Sequence, residues 1–341
     1  MKLTRSVGLG WLWVALFCAV NARGADVAAY GILKSQQFVQ TNDSAAVPLP
    51  SGGFAFNAFV IATGFGVVTN ATVKPANATP LRQLVPLADG LGWLFDERFD
   101  LAAALDATYP NTGVKYALAM NTRNDGLRSV NLGFTVSLFP GFEIFAGYPP
   151  TPQVSNVVAA QAIDTTSDFT LMWSAANAQA IDLVQVLIVD GASNVVYGSP
   201  APFAPGALSS SSTSFVIPAG RLPAGTNLIG HVTLARPVTL PNTNAYPGAV
   251  GISAAARDTQ FPIVTRPAPE PPRLQLLTEL DGGVRLRFPV ETNRLYRLQR
   301  SLDLLRWSDV VTTNSTGGTV DVDESGAGGS AAGFYRVRIG Q

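Results

Sequence analysis

Between residues 27 and 339 the chain repeats short runs in which apolar and polar residues alternate, separated by glycine, proline, asparagine and serine. A period of two sends successive side chains to opposite faces, so each run reads as a strand with one face on a core. In Phe169-Thr170-Leu171-Met172-Trp173, residues 169, 171 and 173 share a face. Val284-Arg285-Leu286-Arg287-Phe288 and Tyr335-Arg336-Val337-Arg338-Ile339 alternate apolar residues with arginines in the same way. Helical spacing is scarce. The one helix it predicts covers residues 97–107, where Leu101 and Leu105 lie a turn apart and Pro110 follows. Asp96 would cap that helix, with Glu97 and Asp100 in the first turn, where negative charge is favoured.

Two proline-rich stretches interrupt the strand pattern, because proline has no amide to donate to a ladder. They are Tyr148-Pro149-Pro150-Thr151-Pro152 and Pro267-Ala268-Pro269-Glu270-Pro271-Pro272, the second reading as a stiff spacer. The expected layout is a leader at 1–24, a β domain at 25–148, a second at 149–266, a linker at 267–271 and a small β module at 272–341. The fold class is all-β, as three tandem antiparallel sandwich-like domains. No period of 20 to 50 residues links them, which disfavours a solenoid or propeller.

Composition sharpens the compartment. Lys2 and Arg5 precede an apolar run over residues 7–20, and Ala22-Arg23-Gly24 offers small residues for cleavage, the secretory pattern. Such a run is shorter than the roughly 20 residues a membrane-spanning helix needs. Phe17 before Cys18 stands where a lipidating peptidase prefers Gly or Ala, so free secretion or surface location without a membrane span is expected. Removing 24 of the 341 residues leaves 317 without a cysteine, so no disulfide, thiol nucleophile or thiolate metal site is available. Basic and acidic residues balance at 23 each, which leaves no field to gather nucleic acid.

The Trp173 strand, the Asp190-Gly191 turn between residues 186–189 and 194–197, and the corner Leu222-Pro223-Ala224-Gly225-Thr226 mark the middle region. On these marks it resembles fibronectin type III and immunoglobulin-like sandwiches. Leu228 stands where such domains often carry a tyrosine that ties the corner. The last region carries Tyr296-Arg297-Leu298-Gln299-Arg300-Ser301, Asp303-Leu304, Trp307 and Phe334-Tyr335-Arg336-Val337. With these it is similar to a short C-terminal module of uncharacterised bacterial exported proteins. Leu105-Asp106-Ala107-Thr108-Tyr109-Pro110-Asn111 and Ala160-Gln161-Ala162-Ile163-Asp164 carry further likeness to the group. The resemblance implies exported β-sandwich modules and no activity.

Candidate chemistry is sparse. His231 is the only histidine, and with residues 228, 232 and 234 on the opposite face it is expected to face solvent. Asp96, Glu97, Asp100 and Asp106 are the densest acidic group, but their spacing does not set two carboxylates across a cleft. Asp321-Val322-Asp323-Glu324-Ser325-Gly326 begins like a calcium loop, yet Ala332 stands where the bidentate glutamate would be. Ser51-Gly52-Gly53 and Gly317-Gly318 have no following helix to hold a phosphate and read as turns. Trp173 and Trp307 are expected in cores. Trp93, flanked by Gly90 and Gly92, is the candidate ring for stacking on a sugar, with Tyr109 second. No catalytic residue, metal or other cofactor is expected. The favoured reading is a non-catalytic secreted or surface-associated modular protein that binds a polysaccharide or cell-surface protein or serves a structural role. Its competitor is a secreted hydrolase using carboxylates of residues 25–148.

Overall fold

The computed structural model describes residues 25–75, 80–139, 142–239, 246–268, 272–278, 284–292, 294–324 and 333–340. The expected leader, residues 269–271 of the spacer, and Ser325 and Gly326 of the acidic turn lie outside them. The chain opens with β1 (Val27–Val39), β2 (Val47–Pro48), β3 (Phe54–Ala62), β4 (Val68–Pro75), β5 (Arg82–Gln83), β6 (Val85–Pro86) and β7 (Gly92–Phe99). The short helix α1 (Ala102–Thr108) comes next, then β8 (Tyr116–Thr122), β9 (Gly126–Leu132), β10 (Thr135–Phe139), β11 (Phe142–Phe145) and β12 (Gln153–Val154). After α2 (Val157–Ala160) run β13 (Phe169–Ser174), β14 (Leu183–Val189), β15 (Val195–Gly198), β16 (Ser214–Ile217), β17 (Asn227–Thr239) and β18 (Val250–Val264). The last strands are β19 (Gln275–Thr278), β20 (Val284–Val290), β21 (Leu295–Ser301), β22 (Ser308–Asn314), β23 (Gly318–Glu324) and β24 (Phe334–Gly340). The fold is all-β.

Two compact units divide at Arg266 and Pro267. In the larger one a nine-stranded sheet runs β15-β14-β17-β18-β1-β3-β7-β6, with β2 on β1. The break expected at 148/149 is not a break in this sheet. β1 pairs in parallel with β18 over eleven residues, from Ala29 opposite Val250 to Val39 opposite Gln260. The near-continuous apolar run of residues 27–33 fits burial on both faces, since such a strand loses the alternation of a half-buried one, but it does not name the partner strand. Close packing also depends on Gly251, where a Cβ would lie 2.5 Å from the Tyr30 ring.

One face of the sheet carries Tyr30, Ile32, Phe56 and Val60, which pack with Val73, Tyr109, Tyr116, Leu118 and Phe134. These come partly from a four-stranded sheet, β5-β4-β8-β9. Farther along that face Val184, Val232, Leu234 and Phe261 pack with Trp173, Leu171 and Ile217 of a β12-β13-β16 sheet. Ala29, Leu33, Phe59, Leu187 and Ala254 form another buried cluster, on the opposite face by alternation.

The helix begins later than expected. Residues 92–99 are strand β7, paired with β3 from Gly92 opposite Ile61 to Phe99 opposite Phe54. Asp96 is therefore a strand residue, Leu101 occupies the N-cap without a side-chain cap bond, and the first turn of α1 holds no acidic residue. A full ladder, with Trp93, Phe95 and Phe99 turned toward a core, outweighs the modest gain from a cap and dipole.

The smaller unit consists of two three-stranded sheets, β19-β20-β23 and β22-β21-β24. Its core is Leu286, Phe288, Val290, Tyr296, Leu298 and Val322. Register sets Arg285 opposite Asp323 and Arg287 opposite Asp321, and both pairs form ion pairs at 2.6 Å. Alternating arginines of β20 thus meet alternating carboxylates of β23 outside that core.

Candidate functional site

The two rings singled out from sequence have different surroundings. Tyr109, at the end of α1, is fully buried, stacked on Phe56 at 3.9 Å and 5°. Its hydroxyl donates to Glu97 Oε2 at 2.6 Å, and burial pushes its pKa far above the usual range, with Glu97 adding to the effect. A ring so enclosed has no face for a sugar. Trp93 sits on β7 rather than in a loop, opposite Val60 and Pro86. It is half-buried against the larger unit's core.

The acidic group disperses. Asp96 accepts from Asn57 Nδ2 and Arg98 Nε, and Glu97 pairs with Arg82 at 3.1 Å. Asp100 accepts from the Gly52 amide and the Ser51 hydroxyl, which hold its carboxyl below the usual range. Asp106 pairs with the buried Lys34. Asp26 and Asp125 are joined through the backbone, the Asp26 amide donating to Asp125 Oδ2 at 2.8 Å. Asp26 is itself engaged by the Asn124 and Asp125 amides, and Tyr246 donates to Asp125. This arrangement ties the start of β1 to the β8–β9 turn.

His231 is buried, contrary to the expectation of solvent. Its face of β17 is covered as well as the face of Leu228, Val232 and Leu234. His231 Nδ1 lies 2.9 Å from Asp258 Oδ2, and the Thr233 hydroxyl donates to Asp258 Oδ1 at 2.7 Å. The corner before β17, which lacks the tyrosine of similar sandwiches, is held by the Thr265 hydroxyl, which donates to the Pro223 carbonyl at 2.7 Å and accepts from the Thr226 amide at 2.8 Å.

Trp173 is buried as its alternation predicts, but Trp307 is half-buried before β22 and lines an open cleft of about 640 Å³. The loop 301–307 builds that cleft locally. Asp303 Oδ1 accepts the amides of Leu305 and Arg306 at 2.9 and 2.8 Å, an Asx-type turn that holds its carboxyl below the usual range. Leu304 adopts a φ of 63°, sparsely populated for a leucine, and its carbonyl accepts the Trp307 indole N–H at 3.0 Å. The Arg336 guanidinium lies 4.0 Å over the indole and donates through Nε to Gln299 Oε1 at 2.8 Å. Gln299 in turn donates to Asp309 at 2.6 Å. The indole is thereby fixed at edge and face, with Arg300, Arg306 and Leu302 around the opening. Leu302 and Leu305 are 67% and 85% exposed. The sequence hint was the run Leu302-Asp303-Leu304-Leu305, too apolar for an ordinary turn.

Among the described residues no group of three or more His, Cys, Asp or Glu could hold a metal, and no helix is long and apolar enough to cross a membrane. No protein-family model and no curated protein matches the chain. Among solved structures it is similar to the FN1–FN3 domains of chicken CNTN1, at 10% identity over 86% of this chain and 88% of that one, with a TM-score of 0.20. It is also similar to a Ca2+-stabilized adhesin with which an Antarctic bacterium binds ice, at 11% identity over 92% and 73%, with a TM-score of 0.27. The BSP domain of a biofilm associated protein matches at 9% identity over 96% and 66%, with a TM-score of 0.20. At such scores these likenesses carry no assignment, and the all-β class rests on the strand pairings of this chain.

Proposed function

We infer that the chain is an exported, non-catalytic modular protein that binds a glycan or a cell-surface protein through its C-terminal unit. The Trp307 cleft is the observation that carries this reading. An indole held at its edge by Leu304 and on one face by Arg336 loses little side-chain freedom on binding, and pre-organisation of this kind lowers the cost of association. Apolar surface from Trp307 and Leu302 with guanidinium donors from Arg300 and Arg306 suits the mixed apolar and hydroxyl character of a sugar ring or a peptide. Trp93 is a second, half-buried candidate. The alternative of carboxylate hydrolysis has less support, since Asp96, Glu97, Asp100 and Asp106 each hold a structural partner.

Affinity electrophoresis through soluble polysaccharides tests the reading, with melting curves on the same samples. Trp307→Ala should abolish retention and leave the larger unit's transition in place, and Trp93→Ala measures what the second ring contributes. Wild-type protein that ignores every polysaccharide while Trp307→Ala unfolds the smaller unit would move the assignment to a structural role. Amino-terminal sequencing of protein from culture medium checks export, and Ala25 is the expected first residue.

A further inference from the structure

Lys34 lies on β1 at the centre of the larger unit with no exposed surface. Its Nζ donates to Asp106 Oδ1 at 2.5 Å and to Asn111 Oδ1 at 2.7 Å. Asn111 Nδ2 donates to the same Asp106 oxygen at 3.1 Å. An amine, a carboxamide and a carboxylate therefore close a triangle in which the carboxylate touches both of the others. The buried Phe134 ring lies 5.7 Å from the amine, while Asp106 is 44% exposed and opens the group to solvent on one side.

An ion pair would need only Lys34 and Asp106. The carboxamide adds an electrophile, and its carbon, one carbonyl bond beyond Oδ1, lies within about 4 Å of Nζ. In water such groups do not react, because the amine is protonated and the amide nitrogen leaves poorly. Burial lowers the Lys34 pKa against the opposing pull of Asp106, which favours the nucleophilic neutral form. A carboxylate bonded to both nitrogens can take a proton from one and deliver it to the other, and fixed positions replace a bimolecular encounter.

We propose that Lys34 and Asn111 join spontaneously through an amide bond between Nζ and Cγ, with Asp106 as the proton carrier. The ammonium of Lys34 passes a proton to Asp106, and the freed electron pair on Nζ attacks Cγ while the carbonyl pair moves onto Oδ1. Asp106 gives its proton to Nδ2 and takes a further one from Nζ. The carbonyl then reforms, the Cγ–Nδ2 bond breaks with its electron pair on nitrogen, and ammonia leaves, carrying the last proton from Asp106 as ammonium. One ammonium and one carboxamide become one secondary amide and one ammonium ion, with no oxidant or cofactor. The product would fasten β1 to the connection between α1 and β8, 77 residues away, a staple indifferent to redox state in a chain whose exported part has no cysteine.

Intact-mass spectrometry and a tryptic map of the purified full chain test this. Wild-type protein should weigh one ammonia less than its sequence, trypsin should no longer cut after Lys34, and the peptide 99–115 should appear only joined to the peptide bearing Lys34. Lys34→Arg and Asp106→Ala should restore the full mass and release 99–115. The wild-type map decides even if those variants fold poorly. Full mass with cleavage at Lys34 would overturn the proposal, as would loss of ammonia without a joined peptide, which marks a succinimide elsewhere. A joined peptide persisting in Asp106→Ala would overturn the role of Asp106.

Discussion

The larger and the smaller unit use the same alternating strands but place their charges differently. In the larger, Arg236 makes a bidentate bond to the buried Asp182, Nε to Oδ1 at 2.7 Å and Nη2 to Oδ2 at 2.8 Å, while Lys34 and Asp258 have no exposed surface. In the smaller, Arg287 and Asp321 pair across an open sheet face. A sheet buried on both faces must satisfy its polar side chains internally, since an unpaired one forfeits hydration without recompense. A sheet with one wet face leaves them to water. The larger unit thereby acquires sites whose removal is costly, and the smaller one depends on a handful of apolar side chains.

The greatest effect is expected where that handful is cut. Phe288 is fully buried in the smaller core, and Phe288→Ala should cost about 3–5 kcal/mol, comparable to the whole margin of a core of this size. Heteronuclear NMR of the full chain should then show collapsed amide dispersion for residues 284–340 and unchanged dispersion for the larger unit; retained dispersion in both would mean that the smaller core has reserves elsewhere. Next comes Asp182→Ala, which strands Arg236 among buried groups and should destabilise the larger unit by roughly 3–5 kcal/mol, read as a lower transition temperature of that unit in calorimetry. A cost near that of a surface pair would show that water reaches Arg236.

Acid provides a smaller contrast. Burial works against ionisation of Asp26, yet the amides of Asn124 and Asp125 and the Asn124 side chain together hold its carboxyl below the ordinary 3.8. A carboxylate with a lowered folded pKa adds stability that is present above its unfolded value and lost as pH falls through the folded one. Asp26→Asn should therefore flatten the fall in melting temperature of the larger unit from about pH 4 downward; an unchanged slope would place the acid sensitivity at another carboxylate. The smallest effect belongs to Asp321, held below its usual range first by the Arg287 hydrogen bond but exposed on the sheet's outer face. Asp321→Asn at physiological salt should leave the melting temperature of the smaller unit where it was, because screening and side-chain entropy cancel most of such a pair.

Much of the fold was legible residue by residue. The alternations at 169–173, 284–288 and 335–339 became β13, β20 and β24, and the Asp190-Gly191 turn joins β14 to β15, with Asp190 Oδ1 accepting the amides of Ala192 and Asn194. Of the candidate sites less was visible. Trp307 was expected in a core, but the turn made by Asp303 sets it at the mouth of a cleft. Tyr109 followed a short apolar helix like a loop aromatic and ended stacked beneath Phe56.

What the sequence by itself determined is local: which runs are strands, where chain direction changes, and the absence of thiol chemistry from residues 25–341. Period, proline and glycine act within a few residues, and their consequences need no partner. Tertiary structure alone decided that β1 and β18 lie side by side, that His231 has a covered face on both sides of its strand, and that Lys34, Asp106 and Asn111 meet. Alternation reports that a strand has two unlike faces. Whether the second face meets water or another layer depends on residues outside the strand's own segment, and the pairing energy that brings them together is written in no single segment.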